Sequence, residues 1–380
     1  MLIKLILRAT LSLLAFLVTN SGHAEQGVTD SEIKIGMSTP LTGPVGAYGK
    51  EMRDAINNHF NLVNADGGIY GRKLKLVTLD DGYETERTVE NTKKLINDEK
   101  VFGLVGYYGS SPTTAAMQVF SAAKIPLVGS VSGAGSLRDP VNPYMFNVRA
   151  SYKDETRTIV DLLVTMGLKR IGVFYQNDGF GKSGLDGVTE ALKKYNLAPE
   201  VVGSVERNSM EVGPAIAKMA QTRPQAVIMV TLYKTTAEFV RKMKKAELNP
   251  VYMSLSPISA DLLEAELGED ARGIGISQVM PYPWNSILPV NKEIKRAAEL
   301  NNKLFKASYY GSEGYLNAKI FVYGLKKAGK NLTVEKFVGA LNDMHNVDMG
   351  GFLVNYSPTN HNSSNFIELT VIGIKGQILR

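Results

Sequence analysis

The chain has no cysteine in its 380 residues, which excludes disulfides, thiol nucleophiles and thiolate-ligated metals. Histidine is almost as scarce. Beyond His23, His59 falls in the first amphipathic segment, and His345 and His361 fall in a polar C-terminal region. None is near a cluster of small polar residues in sequence, so no metal spacing and no Ser–His pair emerges. Charge of one sign is nowhere concentrated. The formal net charge of +6 is spread along the sequence without a basic stripe interleaved with aromatics, and this argues against nucleic acid as a partner. The glycine fingerprints are incomplete. Phe180-Gly181-Lys182-Ser183 has the tail of a phosphate loop, but its leading glycine would fall on Gln176. Gly133-x-Gly135 and Gly273-x-Gly275 lack the third glycine of a dinucleotide motif, and no Gly-x-Ser-x-Gly elbow occurs. With no nucleophile–base pair and no poised acid pair, the expectation is a protein that binds without catalysing, and with no cofactor or metal.

The hydrophobic run at the start, Ala9–Val18, is too short to span a bilayer. It follows the basic residues Lys4 and Arg8 and precedes the small-x-small site Gly22-His23-Ala24. Residues 1–24 therefore read as a signal peptide, with the mature chain beginning at Glu25 and exported to a periplasm or cell exterior. No cysteine follows the run, so a lipoprotein anchor is excluded.

A hydrophobic share of 44% supports sizeable cores, and the remaining length suits two domains or one large one. From Ile33 onward, short apolar strands alternate with amphipathic helices, which means βαβ crossovers and parallel sheets. Strands are expected at 33–37, 73–79, 102–105 and 125–128, with helices at 50–63, 86–97 and from Ser110 onward. After Asp139-Pro140-Val141-Asn142-Pro143 the alternation restarts and runs through 273–279. Helices at 290–306, 314–327 and 334–341 have few strands of their own, and they should pack on the first lobe. The expected fold class is α/β, with two Rossmann-like parallel-sheet lobes joined by three crossings near Arg149, Gln278 and 346–352. The first lobe would hold residues 25–147 and 281–347, and the second 148–280 and 348–380. Hinge strands at the crossings would let the lobes close over a cleft.

The chain is organised around residues 101–139. Here two neighbouring strands each end in a turn of small polar residues, Gly106–Ser111 and Ser130–Ser136. In open α/β sheets, ligands sit at that carboxyl edge, where helix N-termini offer unpaired N–H groups. Hydroxyls and bare amides suit a carboxylate. Helix capping alone explains such residues after one strand; two adjacent turns favour a site. Trp284, beside Pro283, reads equally as a ligand wall or a residue packed beside the hinge.

Several segments together resemble the type I periplasmic solute-binding proteins of the branched-chain amino acid transporter family. They are Ile33-Lys34-Ile35-Gly36, Leu41-Thr42-Gly43-Pro44, Tyr48-Gly49 and Asn64-Ala65-Asp66-Gly67-Gly68-Ile69, with Asp80-Asp81, Asn177-Asp178-Gly179-Phe180-Gly181 and Ser312-Glu313-Gly314-Tyr315 in the same order. The resemblance implies a periplasmic receptor, expected to be a monomer, that closes on a small molecule and delivers it to an ABC permease. A sensor signalling through a membrane receptor or kinase would use the same cleft. The implied carboxylate site is Ser110, Ser111, Ser132 and Ala134, with Tyr108 beside them. Tyr48, Phe180 and Tyr233, or its neighbour Leu232 at that last position, would wall the ligand's body, and Gln278 would lie at the second crossing. The acidic partner for a ligand's ammonium would fall at Ser254–Ser256, where the sequence has Ser256 and no carboxylate. Asp81, Asp178 or Glu313 would have to replace it.

Overall fold

The computed structural model describes residues 25–301 and 306–380; the signal-peptide expectation lies outside them. Strands β1 (Glu32–Thr39), β2 (Lys73–Asp80), β3 (Gly103–Tyr108), β4 (Leu127–Val131) and β5 (Met145–Phe146) form a parallel sheet in the order β2-β1-β3-β4-β5. Helices α1 (Gly46–Ala65), α2 (Thr85–Asn97) and α3 (Ser110–Ala122) are its crossovers. The strand β3 is buried along its whole length, as a central parallel strand covered on both faces should be.

The second lobe repeats the arrangement with β6 (Ile171–Gln176), β7 (Val201–Val205), β8 (Ala226–Val230), β9 (Val251–Ser254) and β10 (Gly275–Gln278). The helices are α4 (Tyr152–Thr165), α5 (Gly179–Lys193), α6 (Gly213–Thr222), α7 (Tyr233–Lys245) and α8 (Ala260–Leu267). Next, α9 (Pro289–Leu300), α10 (Tyr309–Ala328) and α11 (Val334–Asn342) return to the first lobe, where α10 packs on α1, β3 and β4. A hairpin, β11 (Val347–Asp348) with β12 (Leu353–Val354), precedes β13 (Glu368–Ile372) and β14 (Ile378–Leu379). These last two add antiparallel to the second sheet, whose order is β14-β13-β10-β9-β8-β6-β7. The protein is thus α/β with two sheet-centred lobes and three crossings.

Three expectations need correction. The third crossing falls later than 346–352, because the hairpin stays with the first lobe. There the Val290 N–H donates to the Gly350 carbonyl and the Lys319 ammonium donates to the Met349 carbonyl. Polar residues 357–365 then carry the chain to β13. Helix α10 starts at Tyr309 rather than Gly314, capped by the Ser308 hydroxyl, which accepts from the Gly311 N–H. The added turn brings Tyr310 and Glu313 inside the helix. Helix α8 was not anticipated; its Ser259 cap accepts from the Leu262 N–H.

Glycine is structurally required where α5 meets β6. A Cβ on Gly181 would lie 1.8 Å from the Gln176 carbonyl oxygen. At Gly135 an added Cβ would meet nothing within 4 Å. Gly181→Ala should destabilise the fold by roughly 1–3 kcal/mol through forced backbone movement, and Gly135→Ala should stay within about 0.5 kcal/mol of the parent. Denaturant melts check the pair, and equal stabilities would contradict the packing described.

Candidate functional site

The carboxyl ends of the parallel strands in both lobes converge. From the first lobe, β3 runs into Tyr108 and Ser110, and β4 into Ser132 and Ala134. Ser110 and Ser132 are buried, with their hydroxyl oxygens 2.8 Å apart, and the Ala134 N–H donates to the Ser132 hydroxyl at 3.2 Å. The first-turn N–H groups of α3 have no acceptor within their own helix. The two turns are therefore one polar floor. Ser111 stands at its rim, half-exposed, accepting from the Gly179 N–H of the other lobe at 3.0 Å.

Over this floor the rings stack. Tyr48 lies parallel to Tyr310, with centroids 4.4 Å apart and 6° between planes, and stacks at 5.9 Å on Tyr108. Tyr233, the first residue of α7, meets Tyr48 edge-on at 5.6 Å, and Tyr83 meets Tyr108 edge-on at 5.6 Å. Such pairs add stabilisation beyond the area they bury. The lobes are closed on each other here. The Ser259 N–H donates to the Tyr48 hydroxyl at 3.1 Å, and the Gln176 amide donates to the Tyr83 hydroxyl at 3.2 Å. The Tyr108 and Tyr310 hydroxyls are buried and, among the described residues, have no partner other than each other.

Phe180 is buried against Tyr152 at 5.3 Å, so its ring reaches the floor through another aromatic residue. Gln278 is drawn into the second sheet, donating to the Thr370 hydroxyl at 3.1 Å, and stands apart from the serine floor. Trp284 is 40% exposed and packs on Tyr282 and Tyr309, outside the buried cluster.

Ser256 is where sequence reasoning missed most. No carboxylate is adjacent in sequence, yet Glu155 of α4 reaches it. Its carboxylate accepts from the Ser256 N–H at 2.8 Å, the Ser256 hydroxyl at 2.9 Å and the Ser277 hydroxyl at 2.5 Å. Arg149, in the first crossing, donates to the Ser256 hydroxyl at 2.9 Å. It also grips Glu313 bidentately, at 2.8 and 2.6 Å. All of these side chains are buried. Burial raises the Glu155 pKa against the pull of Arg149 and its serine partners. Burial also works against the Arg149 charge, but Glu313 more than offsets it and the pKa rises. A second buried guanidinium, Arg138, donates to the carbonyls of Ser132, Arg149 and Ala150, pinning the floor to the crossing. In sequence, Glu155 looks like an ordinary first-turn acid of a helix, and nothing near Arg149 marks it.

The substitutes proposed for an ammonium partner are engaged too. Asp178 caps α5, accepting from the N–H groups of Phe180 and Gly181, and its other oxygen accepts from Gln176. Asp81 accepts from the Ser38 hydroxyl and the Tyr83 N–H at 2.8 and 2.9 Å, and burial raises its pKa to about 6. Between its ordinary 3.8 and about 6 the folded chain keeps a proton that the unfolded chain has lost. Stability therefore falls as pH rises through that window and stays lower above it. Asp81→Asn should flatten this slope and add ~1–2 kcal/mol at neutral pH. Thermal melts of both proteins across the window check it, and parallel pH profiles would contradict it.

The family described as periplasmic binding protein matches residues 32–372. A solved structure of a possible leucine/isoleucine/valine-binding protein from Rhodopirellula baltica SH 1 is 31% identical, covering 92% of this chain and 96% of that one with a TM-score of 0.87. A substrate-binding periplasmic protein from Ralstonia solanacearum is 32% identical, covering 92% and 99% with a TM-score of 0.86. An amino acid binding protein of Pseudomonas aeruginosa is 24% identical over 63% of this chain and 64% of its own length.

Proposed function

The chain belongs to the periplasmic binding protein family, and on that footing we propose that it is an extracytoplasmic solute-binding receptor. It closes its two lobes on a small carboxylate-bearing ligand, an amino acid or a related organic acid or amide, and delivers it to an ABC permease. The observation that carries this reading is the buried Ser110–Ser132 floor beneath tyrosines supplied by both lobes. Such a floor offers hydroxyls to an anion and rings to an apolar body, and it is sealed only when the lobes meet. The names of the relatives, which concern amino acids and leucine, isoleucine or valine, agree with a ligand of this size. We assign residues 25–147 and 281–356 to the first lobe, and residues 148–280 with the last strands to the second. Residues 1–24 would direct export and be removed. The role is binding rather than catalysis, and one chain forms a complete cleft.

Native mass spectrometry of the purified protein would identify a co-purified solute, and calorimetry would measure its affinity. Ser110→Ala combined with Ser132→Ala should weaken a carboxylate ligand by ~2–4 kcal/mol, since each lost hydroxyl leaves a charged acceptor short of a bond. The two hydroxyls partner each other and are removed together, so the loss of thermal stability should be modest and confined to the Ala134 N–H and Tyr152 hydroxyl that they also engage. Unchanged affinity in the double variant would place the anion elsewhere.

A further inference from the structure

A second cavity, of about 450 Å³, opens beside the first and third crossings, and none of the stacked tyrosines lines it. Its volume is within the range of small-molecule sites. The two crossings are joined there through their backbones. The Asn147 N–H donates to the His361 carbonyl, and the Ser363 N–H donates to the Asn147 carbonyl. Arg138 enters the cavity from the turn after β4, and Ser151 and Asp154 enter from the start of α4. The rest of the wall is asparagine and serine between Asn355 and Asn365.

No lining side chain is apolar, so a hydrocarbon body would find nothing to bury against. Neither sign of charge dominates. The lining holds one guanidinium, Arg138, and one carboxylate, Asp154. Asp154 accepts from Arg157 at 2.8 Å and from the Ser151 hydroxyl at 2.6 Å. Arg138 donates to three backbone carbonyls and, at 2.7 Å, to the Asn362 side-chain oxygen. Its buried Nε–H has no acceptor among the described residues. Most of the remaining capacity is amide. The Asn355 oxygen accepts from the Asn346 N–H and the Asn360 oxygen accepts from Asn362, but among the described residues neither amide nitrogen donates, and the Asn365 side chain makes no hydrogen bond. An amide sets a donor beside an acceptor, and a hydroxyl can answer either.

We propose that this cavity is a second binding site, for a small uncharged polyhydroxyl compound: a monosaccharide or a cyclic polyol. Its hydroxyls bridge the start of α4 and the asparagines of the third crossing. The site is separate from the serine floor and does not depend on which solute the cleft takes.

The test uses the mature chain at fixed ionic strength, with D-glucose, D-ribose and myo-inositol as probes and inorganic phosphate and citrate as charged counterparts. Saturation-transfer NMR should detect at least one polyol at ~10 mM. Amide hydrogen exchange should then slow within 149–154 and 355–365, whereas a polyol acting only by exclusion from the surface would protect the whole chain. Asn360 and Asn365 are exposed, so replacing them spares the fold. Asn360→Asp with Asn365→Ala keeps the oxygen that Asn362 uses and removes both free amide nitrogens. This variant should melt as the parent does and bind the polyol at least ~10-fold more weakly. Absence of binding by all three polyols, equal binding by the variant, or protection spread evenly along the chain would each overturn the proposal. Tighter binding of phosphate or citrate, weakened by the same variant, would also overturn it by showing an ion site.

Discussion

A guanidinium that water does not reach has to be matched by protein groups, and that requirement shapes the centre of this molecule. Arg149 lies in the first crossing, just beyond β5, and is 2% exposed. Its partners come from both sides: Glu313 from a helix packed on the first sheet, and Ser256 from the edge of the second. Neither lobe alone can satisfy it. Separating a buried charge from its partner typically costs ~3–5 kcal/mol, so the closed arrangement is tied to one arginine as much as to any hydrophobic contact. Arg138 extends the same constraint by binding the backbone of the crossing to that of the Ser132 turn.

Much of the fold was legible because parallel strands leave a simple signature. Runs such as 226–230 are apolar throughout, since both faces are covered, and the helices between them carry one apolar stripe. The serine floor was legible for a related reason: strand ends followed by small polar residues point to the edge where ligands collect. The cleft's charges were not legible. Glu155 and Ser256 are about a hundred residues apart and meet only because α4 packs beside the ends of β9 and β10. No local pattern distinguishes Glu155 from an acid that merely favours a helix N-terminus. Tyr310 was missed through a boundary, because the helix was expected to begin at Gly314 although α10 starts at Tyr309. Gly314 sits against the backbone of Met52, a close approach that explains its presence in a helix interior.

The two lobes contribute unlike chemistry to their shared face. The first lobe brings hydroxyls and most of the stacked rings, while the second brings the Glu155 cluster and the backbone N–H groups of Gly179 and Ser259 that reach across. Sequence position hides this division, since Tyr310 and Glu313 come late in the chain but belong with α1. The crossings thus do more than join two bodies. They let a late helix complete a site begun by the first strands, and they place an arginine where both bodies must answer it.

The aromatic packing also gives the molecule an optical character. Its one indole, Trp284, touches Tyr309 edge-on at 5.7 Å, and the next residue, Tyr310, lies flat on Tyr48 within the cleft. Phenols excited in the buried stack therefore sit one residue from the sole tryptophan, which is itself partly open to solvent beside the second crossing. Excitation of tyrosine can pass along this ladder to a single emitter whose colour depends on its hydration. The protein carries a built-in fluorescence reporter in which a change in the cage is read at the surface without any added label.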